Sequence, residues 1–265
     1  MDTRNYLEEY YNNYEEEGRL LGRCGQVEYI TTMKYIHKFL PEENKANCRI
    51  LEVGAGTGRY SIALAGEGYR VDSVELVEHN LNILKSKIKS SYHITASQGN
   101  ALDLSEYGDG TFDMTLVLGP MYHLYTEEDK KKALEEAIRV TKEKGYILVA
   151  YCMNEATILQ YCFGENRLRE CMRKNMLTED FHGISKTEDL FELVRTEDIK
   201  RLTEGAFVTR IHLVATDGAA NYIRNVIENM DEELYELYIR YHLTVCERQD
   251  LIGATNHSLD ILRKE

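Results

Sequence analysis

The chain has 265 residues, enough for one α/β domain or for one such domain with an inserted cap. No run approaches the roughly 20 consecutive apolar residues of a transmembrane helix, so no membrane span is expected. The formal net charge of -13 argues against a nucleic-acid substrate, because that affinity comes largely from Lys and Arg neutralising phosphates.

Residues 1–45 read as a helical N-terminal cap. Tyr6, Tyr10 and Tyr14, then Val27, Ile30 and Met33, recur at helical spacing until Pro41 breaks the pattern. From Arg49 the chain alternates strand and helix. Ile50–Val53 is a short apolar strand, residues 58–67 a helix, Arg70–Leu76 a second strand and residues 78–90 a second helix. His93–Ser97 and Phe112–Leu118 are the third and fourth strands. Thr126 caps the next helix, with Asp129 as a capping-box partner, and Gly145–Cys152 is the fifth strand. Such alternation implies right-handed βαβ units and a mostly parallel sheet covered on both faces. The rhythm stops over residues 153–195, which read as an inserted cap, helical or irregular. It resumes with a helix at Thr196–Leu202 and a strand at Phe207–Ala215. Residues 220–248 read as one or two helices with Leu234, Leu237, Tyr238, Tyr241 and Val245 on one face. A last strand spans His257–Leu262. The expected fold is therefore one Rossmann-like domain with a seven-stranded, mostly parallel sheet, its core at residues 46–152 and 196–265.

The six cysteines are scattered, with no Cys-x-x-Cys pair, which suggests neither a disulfide framework nor a zinc site. No His-x-x-x-His or Asp cluster points to a metal, and none is expected. The N-terminus has neither the basic nor the apolar region of a signal peptide, so a cytoplasmic location is expected. The basic runs Lys85–Lys89 and Lys130–Lys132 lie on predicted helices and read as solvated faces.

The strongest local signal is Glu52-Val53-Gly54-Ala55-Gly56-Thr57-Gly58, between an apolar strand and a helix. Glycines let the backbone turn sharply against a ligand, and the helix N-terminus offers unpaired N–H groups. A dinucleotide fold needs Gly-x-Gly-x-x-Gly; here the third glycine comes one residue early and Arg59 stands where that pattern has glycine. A phosphate-binding loop would need Gly-Lys-Ser/Thr, which is absent. The segment resembles the first motif of the class I S-adenosylmethionine (AdoMet)-dependent methyltransferases, an acid followed by x-Gly-x-Gly-x-Gly. The resemblance implies that Glu52, Gly54, Ala55, Gly56, Gly58 and Arg59 line the amino-acid part of AdoMet. It implies that Glu75, 21 residues after Gly54 and followed by Leu76, holds the ribose hydroxyls. Glu78 is a rival, though it should open a helix, where an acid favours the dipole. Asn100 and Ala101 are implied at the adenine.

Leu118-Gly119-Pro120-Met121-Tyr122-His123-Leu124 ends the fourth strand, where open α/β sheets bind ligands. Leu118 and Gly119 are expected to border the cofactor. Amino-methylating DNA enzymes carry Asp/Asn-Pro-Pro-Tyr here; this chain keeps a proline and an aromatic but lacks the side chain that accepts the amine. The run is similar to the Gly-Pro-x-Tyr-His-Leu of bacterial small-molecule methyltransferases, which implies methyl transfer to a small acceptor with release of S-adenosylhomocysteine. RNA or protein methylation, or a silent AdoMet-binding protein, are the alternatives. His123 is the candidate general base, since its ordinary pKa of ~6.5 suits proton transfer near neutrality; packing beside the cofactor is the other reading. Tyr122 could accept the proton or stack on substrate. Tyr14 is the favoured lid residue of the tyrosine stripe, and His182 in the insert could reach substrate.

Overall fold

The computed structural model describes residues 3–13, 18 and 20–265. Its strands are β1 (Arg49–Val53), β2 (Arg70–Glu75), β3 (Ile94–Gln98), β4 (Phe112–Val117), β5 (Thr141–Met153), β6 (Leu193–Val194), β7 (Val208–Ala215) and β8 (His257–Lys264). They form one sheet in the order β3-β2-β1-β4-β5-β8-β7, with the two-residue β6 paired to the end of β5. Strands β1 to β5 are parallel, and β8 runs antiparallel to both β5 and β7. The sheet is thus the seven-stranded, mostly parallel one expected, with β6 as an addition. β1, β2 and β4 are nearly all buried, as parallel strands covered on both faces must be.

The helices are α1 (Thr3–Asn13), α2 (Arg23–Phe39), α3 (Arg59–Gly66), α4 (Glu78–Lys87), α5 (Glu127–Val140), α6 (Asn154–Thr157), α7 (Leu168–Arg173), α8 (Thr196–Leu202), α9 (Arg224–Glu228), α10 (Glu232–Val245) and α11 (Gln249–Ile252). A π-helix at Ile158–Gly164 joins α6 to α7. Tyr35 and Ile36 of α2 and Leu64 of α3 pack on one face of the sheet. Ala133, Leu134 and Ala137 of α5 and Ile199 of α8 pack on the other. Thr126 caps α5 as its sequence predicts, its hydroxyl accepting the Asp129 N–H at 3.0 Å.

Two expectations change. β5 starts at Thr141 rather than at Gly145: Thr141 pairs with Phe112, and the ladder slips before Tyr146 meets Met114. Leu234, Leu237 and Tyr241 of α10 face outward, while Tyr235 and His242 are buried. The amphipathic side chains are the ones with partners inside. The Tyr235 hydroxyl donates to the Arg23 carbonyl at 2.9 Å, and His242 Nε2 donates to the Thr216 carbonyl at 3.1 Å.

The chain order reverses between β1, whose neighbours to one side are β2 and β3, and β4, which leads to β5 on the other. Val53 lies beside both Val74 and Val117, so the carboxyl ends of β1, β2 and β4 open together at this switch point, where such sheets form a crevice.

Candidate active site

The loop after β1 is folded tightly into that crevice. Gly54 and Ala55 donate their N–H groups to the Val74 carbonyl at 2.8 and 3.1 Å. Gly54 has φ 71°, and a Cβ there would lie 2.7 Å from Pro120 Cδ. The glycine therefore serves both a left-handed turn and a close approach of the β4 tip.

Glu75 ends β2 and is buried at the base of the loop. Its Oε2 accepts the Gly56 N–H at 2.7 Å and its Oε1 the Val77 N–H at 2.8 Å. Glu52 is almost wholly buried, and burial, with the nearby charge of Glu75, pushes its carboxyl up to about 8 against the hydrogen bond from Ser61. Ser73 donates to Ser61 at 2.7 Å, so the acid ends a buried hydroxyl chain.

These groups line a cavity of about 740 Å³. Glu52, Gly54, Ala55, Gly56, Arg59, Glu75, Leu76, Asn100, Ala101, Leu118, Gly119, Tyr122 and His123 all border it. Gly58 stands just behind, as the N-cap of α3. Glu78 is exposed at the start of α4 and does not border the cavity, which separates it from Glu75. The lining also includes Leu7, Leu20, Asn80 and Thr187, none of which belongs to a motif; chain folding alone brings them there.

Two lining side chains carry buried polar atoms with no partner among the described residues, Arg59 Nε and Asn80 Oδ1. Natural structures rarely leave such atoms unpaired, so a polar ligand that both accepts and donates hydrogen bonds suits the cavity. AdoMet, with carboxylate, ammonium and ribose hydroxyls, has that donor and acceptor set.

The β4 tip continues into a 3₁₀ turn, Pro120–His123. The Tyr122 hydroxyl donates to the Leu118 carbonyl at 3.0 Å, and its own carbonyl accepts the Glu192 N–H at 2.8 Å. His123 Nδ1 donates to the Leu190 carbonyl at 2.8 Å, which leaves Nε2 to accept the Tyr11 hydroxyl at 3.0 Å. Burial lowers its pKa to about 4 despite the bond to Leu190. The expectation of a general base meets two obstacles here: the imidazole's lone pair is engaged, and its basicity is low near neutrality. Tyr10, Tyr11, Tyr122, His123 and Phe191 form a ring cluster with centroids 4.9–6.1 Å apart.

Tyr14 lies outside the described residues. His182 is corrected. Its Nε2 pairs with Asp198 at 2.9 Å and its Nδ1 donates to the Gly183 carbonyl at 3.0 Å, so the ring ties the insert to α8 and does not border the cavity. Of residues 153–195, it is the Thr187–Glu192 stretch that lies against the β4 tip, where the Tyr125 hydroxyl also bonds the Thr187 and Leu190 carbonyls.

Tyr11 and Tyr122 also line a second, smaller chamber of about 280 Å³, together with Glu28, Asp217 and His257. These last three offer ligand atoms within 4.8 Å of one another, the one such metal-like grouping among the described residues and one that sequence spacing does not reveal.

A profile of the methyltransferase domain matches residues 50–145, the segment that builds the glycine loop, Glu75, Asn100 and the β4 tip. Residues 50–145 are a class I AdoMet-dependent methyltransferase domain. The chain is similar to YqeM of Bacillus subtilis (strain 168), itself named only as an inferred methyltransferase, with 32% identity over 121 residues, 45% of this chain and 47% of that protein. It is 27% identical over 154 residues to the glycine/sarcosine N-methyltransferase of Parasynechococcus marenigrum (strain WH8102), covering 56% of this chain and 52% of the relative. The chain thus spans about half the length of these curated relatives. The methyltransferase fold extends further than the sequence likeness. The geranyl diphosphate C-methyltransferase of Streptomyces coelicolor A3(2), solved with Mg2+, geranyl diphosphate and S-adenosyl-L-homocysteine, superposes with a TM-score of 0.63 at 12% identity. The match covers 100% of this chain and 98% of that one.

Proposed function

We propose that this chain transfers a methyl group from AdoMet to a small-molecule acceptor and releases S-adenosylhomocysteine. The observation that carries the reading is the meeting of two cavities at Tyr11 and Tyr122, the larger built on the glycine loop and the smaller on polar groups from distant parts of the chain. Glu75 and Leu76 are suited to the ribose, Asn100 and Ala101 to the adenine, and the Gly54–Gly58 loop with Arg59 to the amino-acid end. AdoMet supplies a methyl group already activated on a sulfonium. The protein's part is then alignment of the acceptor, which can provide much of the barrier reduction, and exclusion of water by the aromatic cluster. His123, neutral and bonded on both nitrogens, holds Tyr11 against the Leu190 segment; its role is positioning.

The acceptors named for the glycine/sarcosine and geranyl diphosphate enzymes support a small substrate. The charge of -13 speaks against RNA. No helix among the described residues is long and apolar enough to cross a membrane. The free cysteines Cys24, Cys48, Cys152, Cys162, Cys171 and Cys246 suit a reducing compartment, in keeping with a cytoplasmic enzyme.

Calorimetry with AdoMet, S-adenosylhomocysteine and NAD tests the first half of the proposal: heat with the first two and none with NAD is expected, and the reverse would overturn it. Labelled AdoMet, incubated with a metabolite extract beside RNA and protein pools, tests the second. Label in the metabolite pool is expected; label in RNA or protein only would replace the acceptor class, and binding without transfer would leave a silent AdoMet-binding protein.

A further inference from the structure

We propose that Tyr29 of α2 is a positioning residue for the cofactor: its ring holds the Arg59 guanidinium at the amino-acid end of the larger cavity, where the guanidinium reads the carboxylate of AdoMet. The proposal rests on the methyl-transfer reading above and adds how this chain fixes the cofactor's charged end.

Arg59 suits its place only if an anion comes to it. It opens α3, where the positive end of a helix dipole favours an acid over a base. Its side chain borders the larger cavity, yet its buried Nε has no partner, and its guanidinium makes no hydrogen bond or ion pair among the described residues. Glu52, which borders the same cavity, does not neutralise it: burial keeps that carboxyl protonated up to about pH 8, and Ser61 donates its hydrogen bond to it. A helix N-terminus and an unpaired guanidinium on one wall attract the same kind of ligand. A carboxylate fits both, since the planar fork of Arg binds it with two parallel bonds.

The ring of Tyr29 keeps the guanidinium on that wall. Arg59 Cζ lies 4.6 Å from the ring centroid, within cation–π range. The ring also stacks on Tyr60, the buried neighbour of Arg59 in the chain, with centroids 5.3 Å apart and planes at 30°. Burial holds the Tyr29 phenol above its ordinary value against the pull of Arg59, so the ring stays uncharged. α2 is itself anchored on the sheet by Tyr35 and Ile36, which makes the platform rigid. Tyr29 does not border the cavity, so it acts through Arg59. A loose Arg side chain loses rotamer freedom when it grips a ligand; the stack removes part of that loss beforehand.

The test is calorimetry on the full chain with S-adenosylhomocysteine and with S-adenosyl-3-thiopropylamine, which differs from it only in lacking the carboxylate. The wild type should bind the first at least about tenfold more tightly. Arg59→Gln should bring S-adenosylhomocysteine down to about the affinity of the decarboxylated ligand. Tyr29→Leu should weaken S-adenosylhomocysteine by about three- to thirtyfold and leave the decarboxylated ligand within about twofold, whereas Tyr29→Phe, which keeps the ring, should restore the wild-type preference. In an Arg59→Gln background Tyr29→Leu should change S-adenosylhomocysteine binding by no more than about twofold, since the ring acts through the guanidinium. Thermal melting shows that each variant is folded, and Tyr29→Met replaces Tyr29→Leu if the latter is not. Equal binding of the two ligands by the wild type, an equal loss of both in Tyr29→Leu, no loss of S-adenosylhomocysteine in Tyr29→Leu, or additive losses in the double variant would each overturn the assignment. If S-adenosylhomocysteine itself fails to bind the wild-type chain, the methyl-transfer reading has failed instead.

Discussion

Replacing Glu75 by Gln keeps the size of the side chain and removes one of two acceptor oxygens. In the native loop those oxygens take the N–H groups of Gly56 and Val77 at 2.7 and 2.8 Å. An amide satisfies one of them and points its own N–H₂ at the other, so one buried donor is orphaned, at a cost of ~1–3 kcal/mol. In the proposed ribose role, the same change weakens a charge-assisted bond to each hydroxyl. AdoMet affinity should therefore fall by ~1–3 kcal/mol, about five- to 150-fold. Calorimetry gives the affinity, and thermal melting separately gives the loop's share, a fall of ~2–4 °C per kcal/mol for a chain near this size. Glu78→Gln is the control, since Glu78 is exposed at the start of α4. Unchanged AdoMet affinity in Glu75→Gln, or a larger loss in Glu78→Gln, would refute the assignment of the ribose acid.

Gly58→Ala should destabilise the fold by roughly 2–5 kcal/mol in urea denaturation. The strain of φ 85° contributes ~1–2 of this and the clash of its Cβ 2.6 Å from Leu84 Cγ the rest. Gly68→Ala, with φ 99° and nothing within 4 Å, should cost only the backbone part, and equal losses would refute the packing argument. Glu52 keeps in the fold a proton that the unfolded chain has lost between pH 4.5 and about 8, so its burial erodes stability as pH rises through that window. Glu52→Gln should match the wild type in thermal melts near pH 5 and exceed it near pH 9; an equal gap at both pH values would contradict the raised pKa. His123, lowered to about 4, is neutral across pH 6–8, so kcat should show no limb near 6.5. A limb there that vanishes in His123→Gln would restore the general base.

The glycine loop, Glu75 and the β4 tip were legible because each is a short segment whose function depends on local geometry. A left-handed turn requires glycine, and an acid at the end of the neighbouring strand is placed by strand length. The alternation that reveals β1 to β5 is likewise local, since each strand shows its burial in its own composition. His123 was legible as a residue of the site and not as a neutral one, because its state depends on Leu190 and Tyr11, which lie 67 and 112 residues away in sequence. His182 misled for the same reason: Asp198, its partner, sits across a helix start whose packing no pattern announces. The outward face of α10 looked like a core face, since periodicity locates a stripe without saying which way the helix turns.

The sequence by itself determined the class of the sheet, the glycine loop and strand ends that line the larger cavity and the departure from a dinucleotide loop, all of which follow from spacing along single segments. Only the tertiary structure decided what stands opposite the glycine loop. Glu28 on α2, Asp217 after β7 and His257 at the start of β8 meet because β8 inserts between β5 and β7 while α2 packs across the sheet. No local pattern records that meeting, because chain segments far apart in sequence are brought together by the burial of their apolar faces, and the charged groups at their ends are carried along.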